Sequence, residues 1–147
     1  MINNLSLFIV TFFYIGKIKY APGTFSSLAT LIIWILLIPT DYFIRILIIF
    51  FLIIIGFVFT RISLSNFKET DPQSIVIDEV VGMMIGLFLL PKNIPIYIMA
   101  FILFRFFDII KPSIIDRSQN FKFGIGIMAD DIISGILTLL IIKGLYI

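Results

Sequence analysis

The sequence predicts an all-α fold: a small polytopic membrane protein with several transmembrane or re-entrant helices and an interfacial polar site. Three observations carry this. Hydrophobic residues make up 61% of the 147 positions and charged residues only 14%, against about 25% charged in a typical soluble domain. Mean hydropathy is +1.18. The apolar runs are too long for strands and lack the alternation of a membrane barrel, although they are rich in Ile. The polar residues gather into a few clusters between those runs. The length fits a single domain, residues 1–147.

The elements follow in order. Residues 1–16 carry no charge and are long enough for a short helix. Residues 20–40 are also uncharged, and Pro22-Gly23 shortens the regular part to about Thr24–Ile38, a spanning candidate. Pro39-Thr40-Asp41 reads as a turn. Arg45 and Arg61 bracket fifteen uncharged residues, so Asp41–Thr60 is a second spanning candidate. Residues 61–79 turn polar. Val80–Leu90 and Ile96–Phe107 then form two apolar arms around "PKNIP". At about 1.5 Å per residue, each arm falls short of a ~30 Å hydrocarbon core. They read as a shallow re-entrant hairpin or as tilted, partly buried helices. Residues 105–131 are polar again, and Ile132–Ile142 begins a last helix that can run on to the C-terminus.

If the first two spanning candidates form an out-and-back hairpin and the two arms also return, the polar segments share one side of the membrane. Lys17, Lys19, Arg61, Lys68, Arg105, Lys111, Arg117 and Lys122 fall there; Arg45, Lys92 and Lys143 fall opposite. This eight-to-three division makes the first side cytoplasmic by the positive-inside rule. Single Cys probes at Ser65 and Ser118 would then be shielded from the periplasm.

Composition narrows the chemistry. The chain has no Cys and no His. Disulfides, thiolate nucleophiles, His-based acid–base catalysis and most zinc sites are therefore excluded. The eleven Lys and Arg form no dense run, so nucleic acid is not an expected partner. The N-terminus lacks a basic n-region and a small-residue cleavage site, so no removable signal peptide is expected.

Four clusters remain, each with a bland reading beside a functional one. In "GKIKYAPGTFSSL", Gly23 and Thr24 open an apolar helix. Free N–H groups there suit a phosphate, or Thr24 is simply an N-cap. In "TDPQSIVIDEVVG", Asp78 and Glu79 enter a helix and complement its dipole or hold a ligand. Adjacent acids point about 100° apart, so both serve one site only if the backbone opens. Gly82 and Gly86 make a G-x-x-x-G spacing, read as close helix packing. In "FRFFDIIKP", Arg105, Asp108 and Lys111 stand at i, i+3, i+6 before Pro112. They form a salt-bridge ladder or a charged wall of a site. In "GIGIMADDIISG", Asp130 and Asp131 cap a helix start or join that site. Together, carboxylates without His select Mg²⁺ or a similar hard cation, and Arg with Lys adds phosphate binding. The combination describes metal-assisted phosphoryl chemistry at a membrane surface.

These four stretches resemble the ordered motifs of the phosphatidylglycerophosphatase A family: A-P-G-T-x-G-S, D-P-x-x-I-V-x-D-E-x-x-G, F-R-x-x-D-x-x-K-P and G-G-x-G-I-M-x-D-D-x-x-A-G. The resemblance spans about residues 16–135. It departs at Ser26, Phe123 and Ser134, and "KPSII" lacks a second Pro often seen there; no departure removes a charged group. It implies Mg²⁺-dependent hydrolysis of phosphatidylglycerol phosphate to phosphatidylglycerol and inorganic phosphate, in a bacterial inner membrane, with the site facing the cytoplasm. It also implies roles. Asp78, Glu79, Asp108, Asp130 and Asp131 would bind metal or activate water. Arg105 and Lys111 would neutralise phosphate, and Gly23 and Thr24 would cradle it. Alternatives are another lipid phosphomonoesterase or a small carboxylate-dependent ion or proton transporter. A transporter would hold its acids near the midplane rather than at helix ends.

Overall fold

A computed structural model describes residues 2–64, 72–111 and 125–146; the side chains of residues 2, 3 and 125 are outside that description. Among the described residues the chain is all-helical. The helices are α1 (Ile2–Val10), α2 (Pro22–Leu37), α3 (Tyr42–Leu64), α4 (Ile77–Leu87), α5 (Ile94–Ile110) and α6 (Ile125–Tyr146), with a 3-10 turn at Ile15–Lys17. The sequence expectations for Lys68, Arg117, Lys122, Pro112 and the probes at Ser65 and Ser118 lie outside the described residues.

Helix α4 is the centre of the bundle. It packs against α2, α3, α5 and, most extensively, α6. Ile77, Val80, Val81, Met83, Met84 and Leu87 are all buried, so beyond its two acids α4 is apolar on every side. A helix with no polar face belongs inside a structure or a membrane. At 11 residues α4 is about 16 Å long, too short to cross a bilayer. It is the partly buried arm of the sequence reading, shifted three residues towards its acids.

Local chemistry accounts for the other boundaries. Helix α2 starts at Pro22 with Ala21 as N-cap, so Thr24 is not the cap expected from sequence. Pro is pre-shaped for the first helical turn and has no N–H to leave unpaired. Asp41 Oδ1 accepts from the Ile44 N–H at 2.9 Å and opens α3. Helix α3 runs past Thr60 to Leu64, with Arg61 in its last turn, where a cation suits the dipole. Asn93 caps α5, its Oδ1 accepting from the Ile96 N–H at 3.3 Å. Helix α6 starts at Ile125, seven residues before the expected Ile132.

The contacts fix direction. Gly23 of α2, the start of α4 and Arg105 of α5 meet at one end. Near the same end, Gly56 of α3 faces Met128 of α6 and Ile77 of α4. At the other end Arg45 is buried at 3% exposure. Its Nε donates to the Pro39 carbonyl at 2.8 Å and its Nη1 to the Phe88 carbonyl at 3.0 Å. Its guanidinium stacks 4.9 Å from the Trp34 ring centre. Arg45 therefore ties the α2–α3 turn to the end of α4. Helices α2, α4 and α6 run one way, and α3 and α5 return. Arg45, Lys92 and Lys143 sit at the far end, as the out-and-back arrangement required.

Helix α3 is, among the described residues, the one helix long and apolar enough to cross a membrane. Phe43, Phe50, Phe51, Ile54 and Val58 point outward from it, and Ile98, Ile102, Phe106 and Ile109 point outward from α5.

Candidate active site

All four polar clusters line one cavity of about 360 Å³ at the α4 N-terminal end. Gly23, Asp78, Glu79, Arg105, Asp108, Lys111, Asp130 and Asp131 all contribute to its wall. Of the residues singled out in the sequence, Thr24 is not part of this lining.

Small residues bring the helices close enough to build it. A Cβ on Gly135 of α6 would overlap the Gly82 carbonyl of α4 and stand 3.2 Å from the Gly82 Cα. A Cβ on Gly82 would lie 2.5 Å from the Asp131 carbonyl. Gly86 faces Thr138 one turn further on. The G-x-x-x-G spacing is thus a packing surface, and it sets Asp131 beside Asp78. At the start of α2, a Cβ on Gly23 would overlap the Glu79 Oε1 and approach Arg105 Nη1 to 3.2 Å. The Gly23 carbonyl accepts from both Ser26 Oγ and Ser27 Oγ at 2.8 Å, which pins that first turn.

The five acids fall into two groups. Asp108 pairs with Arg105 one turn earlier on α5. Lys111 does not continue that ladder; its Nζ reaches across to Asp130 Oδ2 of α6 at 2.7 Å. The geometry explains why. Lys111 caps α5 in the left-handed region, φ 46°, which turns it off the helix line. Asp78, Glu79 and Asp131 are left as a trio, each offering an oxygen within 4.8 Å of the others. Adjacent Asp78 and Glu79 serve one cavity without the backbone opening, because α2, α5 and α6 wrap the start of α4 from several sides.

Asp130 and Asp131 are the sixth and seventh residues of α6, so they do not cap its start. Both are buried. The dipole-capping reading of that pair therefore does not hold; both residues line the cavity. Asp130 Oδ1 accepts from the Asp131 N–H at 3.0 Å, and the Asp130 carbonyl accepts from Ser134 Oγ at 2.9 Å.

The electrostatics suit a cation. Among the described residues, five carboxyl groups and two cationic side chains line the cavity. Burial is the largest cause pushing the Asp78 carboxyl well above its ordinary range, and the neighbouring Glu79 and Asp131 charges add to it. Burial likewise pushes Glu79 up to about 7, against the opposing hydrogen bond with Asp78. Burial alone would lower the Lys111 pKa, but the hydrogen bond and charge of Asp130 outweigh it and raise the value, so Lys111 stays cationic. Among the described residues, Glu79 Oε2 and Asp131 Oδ1 are buried acceptors without a hydrogen-bond partner. Orphaned acceptors in an all-oxygen cluster fit a hard divalent cation. Arg105 Nε is likewise buried without a partner, a donor left over for an anion.

Sequence reasoning missed several parts of the wall. Ala21, Pro22, Gln73 and Ile75 line the cavity. The Asp71-Pro72 turn signal in "TDPQS" could have drawn attention to Gln73, but nothing in the sequence connected Ala21 with Glu79.

The chain is similar to several known proteins. The family model described as phosphatidylglycerophosphatase A matches residues 8–146. A Bacteroides thetaiotaomicron protein, named provisionally as a phosphatidylinositol-3-phosphatase, is 38% identical over 145 residues, covering 94% of this chain and 91% of the relative. The Escherichia coli protein named phosphatidylglycerophosphatase A is 35% identical over 84% of this chain and 73% of its own length. The Haemophilus influenzae protein of the same name is 35% identical over 86% of this chain and 80% of its own length. No solved structure matches the chain.

Proposed function

The chain belongs to the phosphatidylglycerophosphatase A family and is a lipid phosphatase, and from that premise we propose that it hydrolyses phosphatidylglycerol phosphate with Mg²⁺, yielding phosphatidylglycerol for phospholipid synthesis. The observation that carries this reading is the sorting of the cavity's charges. Among the described residues no ion pair joins Asp78, Glu79 or Asp131 to a cation, while Arg105 and Lys111 beside them are paired with Asp108 and Asp130.

Asp78, Glu79 and Asp131 would hold the cation, which supplies charge neutralisation and Lewis acidity towards the phosphoryl group. Asp108 and Asp130 keep Arg105 and Lys111 aimed into the cavity. Those two side chains bind the phosphate oxygens and offset charge that builds up in the transition state. The start of α2 adds its positive dipole end. A water oxygen attacks phosphorus, and the bond from phosphorus to the glycerol oxygen breaks. The water's proton passes through a cavity carboxylate to that glycerol oxygen. The sequence lacks D-x-D-x-[TV], the usual aspartyl-phosphate signature, which favours water over an Asp nucleophile.

The outward Phe, Ile and Val side chains of α3 and α5 suit lipid as their solvent. With the site at the interface, the diacylglycerol stays in lipid while the headgroup enters the cavity. The eight-to-three charge division supports a cytoplasmic position for that end, in a multi-pass inner-membrane protein. Lys92 and Lys19 lie at opposite ends, so single Cys substitutions in this Cys-free chain report the orientation. A membrane-impermeant maleimide on intact cells should label Lys92→Cys and spare Lys19→Cys. The reverse pattern would invert the topology.

Lys111 gives a second expectation. Lys111→Gln removes the charge at similar length and should raise KM and lower kcat, whereas Lys111→Arg should keep part of the activity. Unchanged kinetics in Lys111→Gln, with a lowered melting point, would make Lys111 only the partner of Asp130.

The relative named for phosphatidylinositol 3-phosphate motivates a direct comparison. Phosphate release by the purified chain should be faster from phosphatidylglycerol phosphate than from phosphatidylinositol 3-phosphate. The opposite order would transfer the assignment to the inositol lipid.

A further inference from the structure

One wall of the cavity is left unused by the phosphate chemistry. Besides its charged groups and Gly23, the described lining consists of Ala21, Pro22, Pro72, Gln73 and Ile75. Of these, only Gln73 has a side chain that hydrogen-bonds, with two N–H donors and one carbonyl acceptor. A neutral amide competes poorly for a phosphate or a metal ion beside Arg105, Lys111 and three acids. It suits an alcohol, which both donates and accepts.

The backbone that carries Gln73 is held in place. The Ile75 N–H donates to the Pro72 carbonyl at 2.9 Å, closing a tight turn with Gln73 and Ser74 at its centre. The next residue is tied down as well, its Val76 N–H donating to the Val10 carbonyl at 2.9 Å. On the other side the Ser74 carbonyl seats directly on Gly16, where a Cβ would overlap it and stand 3.2 Å from Thr11 Cα. Pro72 is buried and Gln73 is exposed. The turn is therefore fixed from two sides while the Gln73 side chain stays free at the cavity rim. A fixed backbone with a free polar tip is the arrangement that positions a recognition group.

We propose that Gln73 reads the headgroup alcohol: its amide hydrogen-bonds the free glycerol hydroxyl next to the phosphate ester and sets the preference for glycerol. The inference rests on the phosphatidylglycerol phosphate reading above and deepens it. Gln73 makes and breaks no covalent bond. It contributes binding to substrates that present that hydroxyl, and nothing to substrates that lack it. One hydrogen bond of this kind, net of water, corresponds to a preference of about tenfold.

The test pairs one substitution with one deleted hydroxyl. Gln73→Met keeps the side chain's length and removes its hydrogen bonding. The substrate analogue replaces the headgroup glycerol by propane-1,3-diol, which keeps the terminal phosphate and loses the free hydroxyl. The expected result is that the wild-type chain prefers phosphatidylglycerol phosphate to the analogue about tenfold in kcat/KM. Gln73→Met should lose most of that preference while hydrolysing the analogue at the wild-type rate. An equal fall on both substrates, an unchanged preference, or no preference in the wild-type chain would each overturn the role of Gln73 while leaving the reaction standing. No phosphate release from phosphatidylglycerol phosphate by the folded wild-type chain would overturn the reaction itself and this inference with it.

Discussion

Asp131→Asn and Asp78→Asn should each lower phosphate release by about 100-fold or more, roughly 2.7 kcal/mol of barrier, while the protein stays folded. Both changes keep shape and remove one carboxyl group from the trio whose oxygens lie within 4.8 Å of one another. The stability outcome separates this account from a structural one. The trio is a source of repulsion without a cation, so each variant should melt no lower than the wild type in chelator. Added Mg²⁺ should raise the wild-type melting point by binding the folded state, and should do so far less in either variant. Asp41→Asn is the control. Asp41 lies at the opposite end and accepts from the Ile44 N–H at 2.9 Å, and Asn caps a helix as well as Asp does. Its turnover should stay near normal. Near-normal turnover in both Asp78→Asn and Asp131→Asn would remove these acids from the chemistry and leave Asp78 as a complement to the α4 dipole.

Gly135→Ala should be strongly damaging for a single methyl group. Its Cβ would land on the Gly82 backbone, which has no flexible end to move aside. Overpacking of a tight contact costs about 1–3 kcal/mol, and here the obstacle is another helix. Separating α4 from α6 also withdraws Asp131, one turn earlier, from Asp78 and Glu79. Melting temperature and kcat should fall together. Gly144→Ala in the same helix meets nothing within 4 Å. It should leave activity intact and gain up to about 1 kcal/mol from helix propensity. A Gly135→Ala protein that melts and works like the wild type would show that the α4–α6 crossing is looser than described.

Much of the site was legible in the sequence, for a physical reason. Charges are costly in an apolar chain, so the nine acids and eleven bases stand out against it. The out-and-back arrangement followed from run lengths and brought all four clusters to one end. The division of the acids was not legible. That Asp108 answers Arg105 while Asp130 answers Lys111 depends on the left-handed turn at Lys111 and on the approach of α6. The start of α6 was missed because "GIGIM" reads as a flexible glycine stretch, yet from Ile125 it is helical. The central place of α4 was hidden for a different reason. A helix apolar on all sides looks the same from sequence whether protein or lipid surrounds it. Arg45 was read only as a marker of the far side; its burial against Trp34 needs two helices to meet.

The central claim is that an acid trio holding a divalent cation drives hydrolysis of a lipid phosphate. The most direct measurement is inorganic phosphate released from phosphatidylglycerol phosphate by the purified full chain, stripped with EDTA and then resupplied with Mg²⁺. Release should be lost in EDTA, return with Mg²⁺ in the wild type, and fail to return in Asp131→Asn. Undiminished release in EDTA by the folded protein would contradict the claim.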